Sequence, residues 1–393
     1  MATITFRQTF KYRLYRHKRN DRLYDRINIS GIIWNHLVAL QRRYYRLTGK
    51  YINQYEMKGH LARLRRKVTR FQHWQRVGSQ AVQELVERHD KAYQQFFAYL
   101  RGERARHGRP GLKKVKKYSS FTLKQAGWKY EGGNHIWIQG AWYKFAHSRP
   151  VEGRIKTVTI KRDNLNNLWV CFSTVRKVEV RDLVEASTGK SGGFDFGLKT
   201  FLTDHEGHAY HSSQFLKNEL NEIARLNRAL SRKVKGSNNW RKARRQLTKA
   251  HTRIANKRRD GHWKLSHHLC GRYDTICLES LNLDGMKRMW GRKVSDLGFG
   301  EFVAILQEVA IKTGTRIVLV DRWEPTTKRC ACCGRMQQMP LAVRVFDCQA
   351  CGWSCDRDQN AALNILRCGL EAAGASVAGL GEVRREYEHA LSA

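Results

Sequence analysis

Cys330, Cys333, Cys348 and Cys351 form two C-x2-C pairs with 14 residues between them. Two knuckles at this separation can set four thiolates tetrahedrally around Zn2+ and leave no open position for a substrate. Gly334 and Gly352 each follow the second cysteine of a knuckle, where a tight turn favours a residue without a side chain. The spacing therefore predicts a structural zinc site. Cys332 and Cys355 are further thiols nearby, but the x2 spacing favours the first four.

The rest of the composition narrows the class of protein. A length of 393 residues suits two or three domains, and a hydrophobic share of 41% is enough for a core. Lys and Arg outnumber Asp and Glu by 74 to 34, a formal net charge of +40. Such an excess points to a polyanionic partner, nucleic acid above all. No apolar run approaches the roughly 18 residues of a membrane span. The stretch Met1–Tyr15 alternates basic and aromatic residues instead of carrying a signal-peptide block. The expectation is an intracellular chain with no membrane partner, whose ten cysteines are thiols or metal ligands.

Four prolines, at 110, 150, 325 and 340, punctuate the chain. Residues 3–15 read as a strand, and 21–100 as a helical block carrying Trp34, Leu37 and Val38, then Val82, Leu85, Val86 and Tyr93 at helical spacing. Residues 118–185 return to strands, with a hairpin turn at 163–167. Strands on both sides of the helices predict a β-barrel-like domain with a helical insertion. From 186 to 325 the rhythm is α/β. A strand pair over 191–204 precedes a helical hairpin turning at 236–239, then a buried strand TICLESLNL, a helix from Gly300 to Thr313, and the strand RIVLVDRW.

Two basic stretches suit a phosphate backbone. A loop carries Arg109, Lys113, Lys114, Lys116 and Lys117, and the outer face of the helical hairpin carries Arg241, Arg244, Arg245 and Arg253. Three acids stand in apolar surroundings: Asp195 in GFDFG, Glu279 at the end of TICLE, and Asp358 in DRDQNAA. A buried acid is costly unless it is paired or cation-bound. Ion pairing to this basic chain would satisfy each acid singly. Together their hard oxygens could hold two Mg2+ ions around a phosphate.

Longer motifs carry a resemblance. They read GGFDFGLKTFLT (192–203), RIANKRRDGHWKLS (253–266), ICLESLNLDGM (276–286), DRWEPTTKRCACCG (321–334) and CDRDQNAALNI (355–365), with SQAVQELVERHDKAYQQFF (79–97) and YSSFT (118–122) in the N-terminal half. The chain resembles the TnpB family of RNA-guided nucleases carried by insertion sequences, and is similar to compact type V CRISPR effectors. The resemblance implies an α/β plus α+β multidomain architecture. In it, wedge strands lie at 1–20, a helical recognition domain at 21–110 and the wedge barrel at 111–185. A RuvC-type, RNase H-like nuclease domain follows at 186–325, with a zinc-ribbon insertion at 326–357 that binds target nucleic acid. The final nuclease helix and tail occupy 358–393.

The implied catalytic Mg2+ ligands are Asp195, Glu279 and Asp358, with Asp356 the alternative to Asp358. Gln80 and its neighbour Gln83 become candidates for reading base edges. The implied function is RNA-guided DNA cleavage by a cytoplasmic prokaryotic monomer. A guide RNA from the transposon end would pair with double-stranded target DNA beside a short flanking motif. A CRISPR-array guide, a nuclease-inactive RNA-guided repressor and a strand-joining transposase are the alternatives.

Overall fold

The computed structural model describes residues 3–103, 107–179, 188–211, 215–340 and 342–374. The chain divides into two compact units, Met1–Val178 and Glu179–Ala393. The boundary expected at 185/186 and residues 375–393 of the expected tail lie outside the described residues. Among the described residues, no helix is long and apolar enough to cross a membrane.

The first unit starts with strand β1 (Thr3–Arg13). Its inner residues Phe10 and Tyr12 are buried, while Arg7, Lys11 and Arg13 face outward, as alternation requires. Three helices follow: α1 (Asn20–Thr48), α2 (Gln54–Lys67) and α3 (Ser79–Leu100). Asn53 and Glu56 form a capping box that starts α2. Helix α3 buries Val82, Leu85, Val86 and Tyr93, the face that the spacing predicts. Six strands complete the unit: β2 (Ser120–Leu123), β3 (Trp128–Lys129), β4 (His135–Ile138), β5 (Ala141–Lys144), β6 (Arg154–Arg162) and β7 (Leu168–Glu179).

The expected barrel is two sheets, ordered β1-β7-β6-β2 and β3-β4-β5, joined by a bridge between Leu14 and Phe145. The β6–β7 turn is built on Asp163. Its carboxylate accepts the amides of Leu165 and Asn167 and the indole N–H of Trp169. Helices and strands share one core, in which Leu23, Ile27 and Trp34 of α1 join Phe121, Val158 and Phe172 of the sheet. The helical block therefore shares its core with the strands, because α1 and α3 bury their apolar faces both among the helices and against the sheet.

The second unit begins with β8 (Ser191–Phe196), β9 (Leu202–Asp204) and β10 (Ala209–Tyr210). The short α4 (Phe215–Asn218), α5 (Leu220–Ser231) and α6 (Asn238–Arg272) follow. Then come β11 (Thr275–Glu279), α7 (Leu283–Leu297), α8 (Phe299–Thr313) and β12 (Arg316–Val320). The ribbon strands β13 (Val345–Asp347) and β14 (Ser354–Asp356) lead into α9 (Arg357–Ala372). The main sheet runs β10-β9-β8-β11-β12. Strand β11 is parallel to both β8 and β12, whereas β8, β9 and β10 are antiparallel neighbours.

Two sequence expectations need correction here. The strand expected over TICLESLNL stops at Glu279, and Asn282 instead caps α7 by accepting the Gly285 amide at 3.1 Å. Two glycines interrupt the α7 pattern, and the helix bends at Trp290 (φ −128°), so its period is hard to see in the sequence. The second arm of the helical hairpin also runs on to Arg272 as one 35-residue helix.

Helix α9 lies close against β8 and β11. A β-carbon on Gly193 would stand 2.3 Å from the Ala362 carbonyl oxygen and 2.7 Å from the Leu366 nitrogen. One on Gly369 would stand 2.3 Å from the Cys277 sulfur. Glycine lets helix and strand backbones meet at Gly193, and lets the Cys277 side chain pack directly on the helix backbone at Gly369. Gly193→Ala should therefore lower stability by about 1–3 kcal/mol, because overpacking forces the helix to shift. A lower urea midpoint at unchanged m-value would show this. Gly271→Ala, facing open space in α6, is the control and should leave the midpoint unchanged or raise it.

Candidate functional site

Parallel pairing brings the first two acids to one edge of the sheet. Leu278 of β11 pairs with Phe194 of β8, which sets Glu279 level with Asp195. Their predecessors Phe194 and Leu278 are fully buried, so alternation turns both carboxylates to the other, half-buried face. Asp358 enters from the first turn of α9, near the C-terminal end of β8. A β-carbon on Gly197 would lie 3.8 Å from its Oδ2. Asp356, the alternative, is exposed and caps α9, where its Oδ1 accepts the amides of Asp358 (2.8 Å) and Gln359 (3.3 Å). The charge that reaches Asp195 is that of Asp358.

Electrostatics here are unfavourable to the bare acids. Burial, followed by the Asp358 and Glu279 charges, holds the Asp195 carboxyl well above the usual carboxylate range; Arg357 opposes the shift. Burial alone pushes the Glu279 carboxyl up. Arg357 reaches Asp358 Oδ1 at 3.2 Å, and Arg344 lies 3.9 Å from Oδ2. The cluster combines three carboxylates whose negative charge Arg357 and Arg344 compensate only in part, a donor set that fits hard divalent cations. Among the described residues, two groups bring three or more ligand atoms within 4.8 Å of one another: the four knuckle cysteines, and Asp204, Glu206 and His208. The three acids are therefore spread more widely than a cage for one ion.

The Asp204 group escaped the sequence reading, although D-x-E-x-H was visible in it. Its bonds are those of a turn. Asp204 Oδ1 accepts the amides of Glu206 and His208, its Oδ2 accepts the Tyr210 hydroxyl, and Glu206 pairs with Arg272 at 2.5 Å.

The four cysteines do come together. Cys330 and Cys351 sulfurs are 3.7 Å apart, and those of Cys333 and Cys348 are 3.6 Å apart. Tetrahedral Zn2+ with bonds of about 2.3 Å sets its sulfurs about 3.8 Å apart. Each knuckle closes in the same way, with the Gly334 amide on the Cys330 carbonyl and the Gly352 amide on the Cys348 carbonyl, both at 3.0 Å. Both glycines have positive φ, 77° and 69°. The spare thiols pack beside them. Cys355 accepts the Trp353 indole N–H at 3.1 Å, and Cys332 joins the small cluster of Cys330, Phe346 and Cys348.

The basic candidates differ in their surroundings. Arg109, Lys114, Lys116 and Lys117 are exposed. Lys113 is tied to its own chain: its peptide group exchanges two 2.8 Å bonds with Asn35, and its ammonium lies 4.1 Å from the Trp34 ring centre. Gln80 is half-buried. Gln83 instead lines a groove of about 470 Å3 with Lys58, Arg65, Arg66, Gln75 and Ser79. On α6, Arg241, Arg244 and Arg245 are exposed, and Arg244 stacks on Trp240. Arg253 is ion-paired with Glu219 at 2.7 Å, a partner that lies 34 residues away and is hidden from the sequence pattern.

Two family models match parts of the chain. The family model OrfB_IS605, described as "Probable transposase", matches residues 175–289. The Cas12f1-like TNB domain model matches residues 299–365. The chain is 33% identical over 244 residues to "TnpB-like protein L79" of Acanthamoeba polyphaga mimivirus, covering 58% of this chain and 46% of that protein. It thus spans about half the length of the mimivirus relatives that it matches. It is 28% identical over 370 residues to "Putative RNA-guided DNA endonuclease InsQ" of Escherichia coli K12, covering 89% of this chain and 88% of that one. Its fold is similar to Cas12f1 solved with guide RNA and target DNA, at a TM-score of 0.52 and 12% identity over 89% of this chain and 83% of that one.

Two outcomes follow from the site's electrostatics and the knuckle geometry. In Mg2+-free buffer, Asp195→Asn should raise the melting temperature at pH 7. A carboxyl whose folded pKa is raised loses stability as pH climbs from its unfolded value toward the folded one, so the gain should shrink as pH falls toward 5. Calorimetry of both proteins across that range checks the sign. Cys348→Ser should cost the protein its bound zinc by elemental analysis and open the 326–357 segment to hydrogen exchange.

Proposed function

We propose that the chain is a member of the TnpB family and acts as an RNA-guided DNA endonuclease with a RuvC-type active site. The observation that carries the reading is the gathering of Asp195, Glu279 and Asp358 at the C-terminal ends of β8 and β11, where burial, then the Asp358 and Glu279 charges, raise the Asp195 carboxyl. The strand order β10-β9-β8-β11-β12, three antiparallel strands followed by parallel ones, supports an RNase H-like nuclease domain.

In this reading Asp195, Glu279 and Asp358 hold two Mg2+ ions. When bound, the ions would polarise a scissile phosphodiester and acidify the attacking water. The rigid β8–β11 ladder fixes Asp195 and Glu279, and the Asp356 cap holds the first turn of α9 so that Asp358 faces them. Arg357 and Arg344 beside Asp358 are placed to balance phosphate charge near the site.

The guide RNA pairs with one strand of double-stranded DNA, and that pairing carries the sequence information. Exposed Arg109, Lys114, Lys116, Lys117, Arg241, Arg244 and Arg245 grip phosphates, with weaker roles for Lys113 and Arg253, whose charges are already engaged. Gln80 and Gln83 at the start of α3 are the candidates for the flanking motif, with Gln83 better placed in the groove. The cysteine quartet holds one Zn2+ that stabilises the ribbon without taking part in chemistry. The guide comes from the transposon end, and the protein acts as a monomer in the prokaryotic cytoplasm.

Sequencing the RNA that co-purifies with the protein tests the guide assignment. One structured RNA ending in a variable segment is the expected result. With that RNA and a matched target, Asp195→Ala or Glu279→Ala should lower cleavage by at least about 10³-fold while leaving target binding unchanged. A variant that cuts at the normal rate in Mg2+ would remove its residue from the site.

A further inference from the structure

Helix α9 carries two asparagines among its most buried residues. Asn360 is 0% and Asn364 1% exposed, within the apolar run Ala361, Ala362, Leu363, Ile365 and Leu366. An amide buried among such neighbours is costly unless it is bonded. Both point at the first zinc knuckle. Asn360 accepts the Ala331 amide at 2.9 Å and donates to the Arg329 carbonyl at 2.8 Å. Asn364 donates to the carbonyls of Thr326 and Arg329, at 2.9 and 2.7 Å. Cys330 lies between the two latched peptide groups, and Asp358 lies two residues before Asn360 on the helix.

We propose that Asn360 and Asn364 form a latch through which zinc in the ribbon positions Asp358 for divalent-cation binding at the nuclease site. The inference rests on the carboxylate reading above. Asn364 leaves its own Oδ1 buried without a partner, so the residue is kept for what its amide N–H groups donate. The stretch 326–333 holds only turns and a single bridge, Arg329 to Met336, so zinc at Cys330 and Cys333 would add the order that fixes the peptide groups the latch grips. Beyond the latch, α9 is held by β8 on its other side, and its first turn follows directly from β14. Zinc binding and cation binding at Asp358 are then thermodynamically linked, each strengthening the other by the same factor.

The test is a cycle on the full chain freed of nucleic acid. Mn2+, a hard-ion substitute for Mg2+, is titrated by electron paramagnetic resonance with zinc bound and with zinc removed. Sites lost in Asp358→Ala define the nuclease site. Removing zinc should weaken Mn2+ binding there about tenfold in the parent protein. In Asn360→Ala, zinc removal should leave the remaining affinity unchanged. An unchanged Mn2+ affinity on zinc removal from the parent, or the same loss in both proteins, would overturn the latch. If Asn360→Ala does not fold, Asn364→Ala takes its place in the cycle with the same two outcomes. If Asp358→Ala loses no Mn2+ site, the carboxylate reading itself fails, a result distinct from failure of the latch.

Discussion

The contact between α9 and the main sheet is the constraint on which the rest of the second unit depends. It exists because Gly193 and Gly369 present no side chain where the helix backbone and the strand surface meet. A helix kept farther off by even one methyl group could not bring its first turn to the ends of β8 and β11. Asp358 would then stand apart from Asp195, and Asp195 would lose the charge that now raises its pKa. Close packing and electrostatics are therefore one device, in which apolar burial forces like charges together and a bound cation would relieve them.

The two groups proposed to bind metal differ in how they use the chain. The zinc knuckles are local: their ligands fall within 22 residues, and the small cluster around Phe346 is too slight to fold without a metal. The carboxylates are distant in sequence, and each is delivered by a separate element. Their half-burial is tolerable because the sheet and α9 are rigid and satisfied elsewhere, with Asp356 spent on the cap and Asn360 and Asn364 on the first knuckle.

The charge excess is distributed unevenly among its uses. Some basic residues serve the fold, such as Lys113 over Trp34, Arg253 with Glu219, and Arg258 with Glu301. Others, on α6 and in the stretch before β2, meet solvent. A linear pattern of Lys and Arg does not separate the two groups, because the partners that engage a cation come from remote parts of the chain.

Local rules made much of the chain legible in advance. Alternation marked β1, β6 and β7, helical spacing marked α3, and the cysteine spacing with its glycines marked the knuckles, because each depends on neighbours a few residues apart. Helix α7 was missed, since glycines and a bend at Trp290 blur its period, and the barrel became two sheets, since pairing between remote strands leaves no local trace. The sequence by itself determined that the knuckle cysteines are spaced as metal ligands and which strongly periodic segments are helix or strand. Only the tertiary structure decided that Asp356 caps while Asp358 turns inward, that Gln83 and not Gln80 lines the groove, and that two asparagines reach the knuckle. Those choices turn on distances between elements that only packing sets.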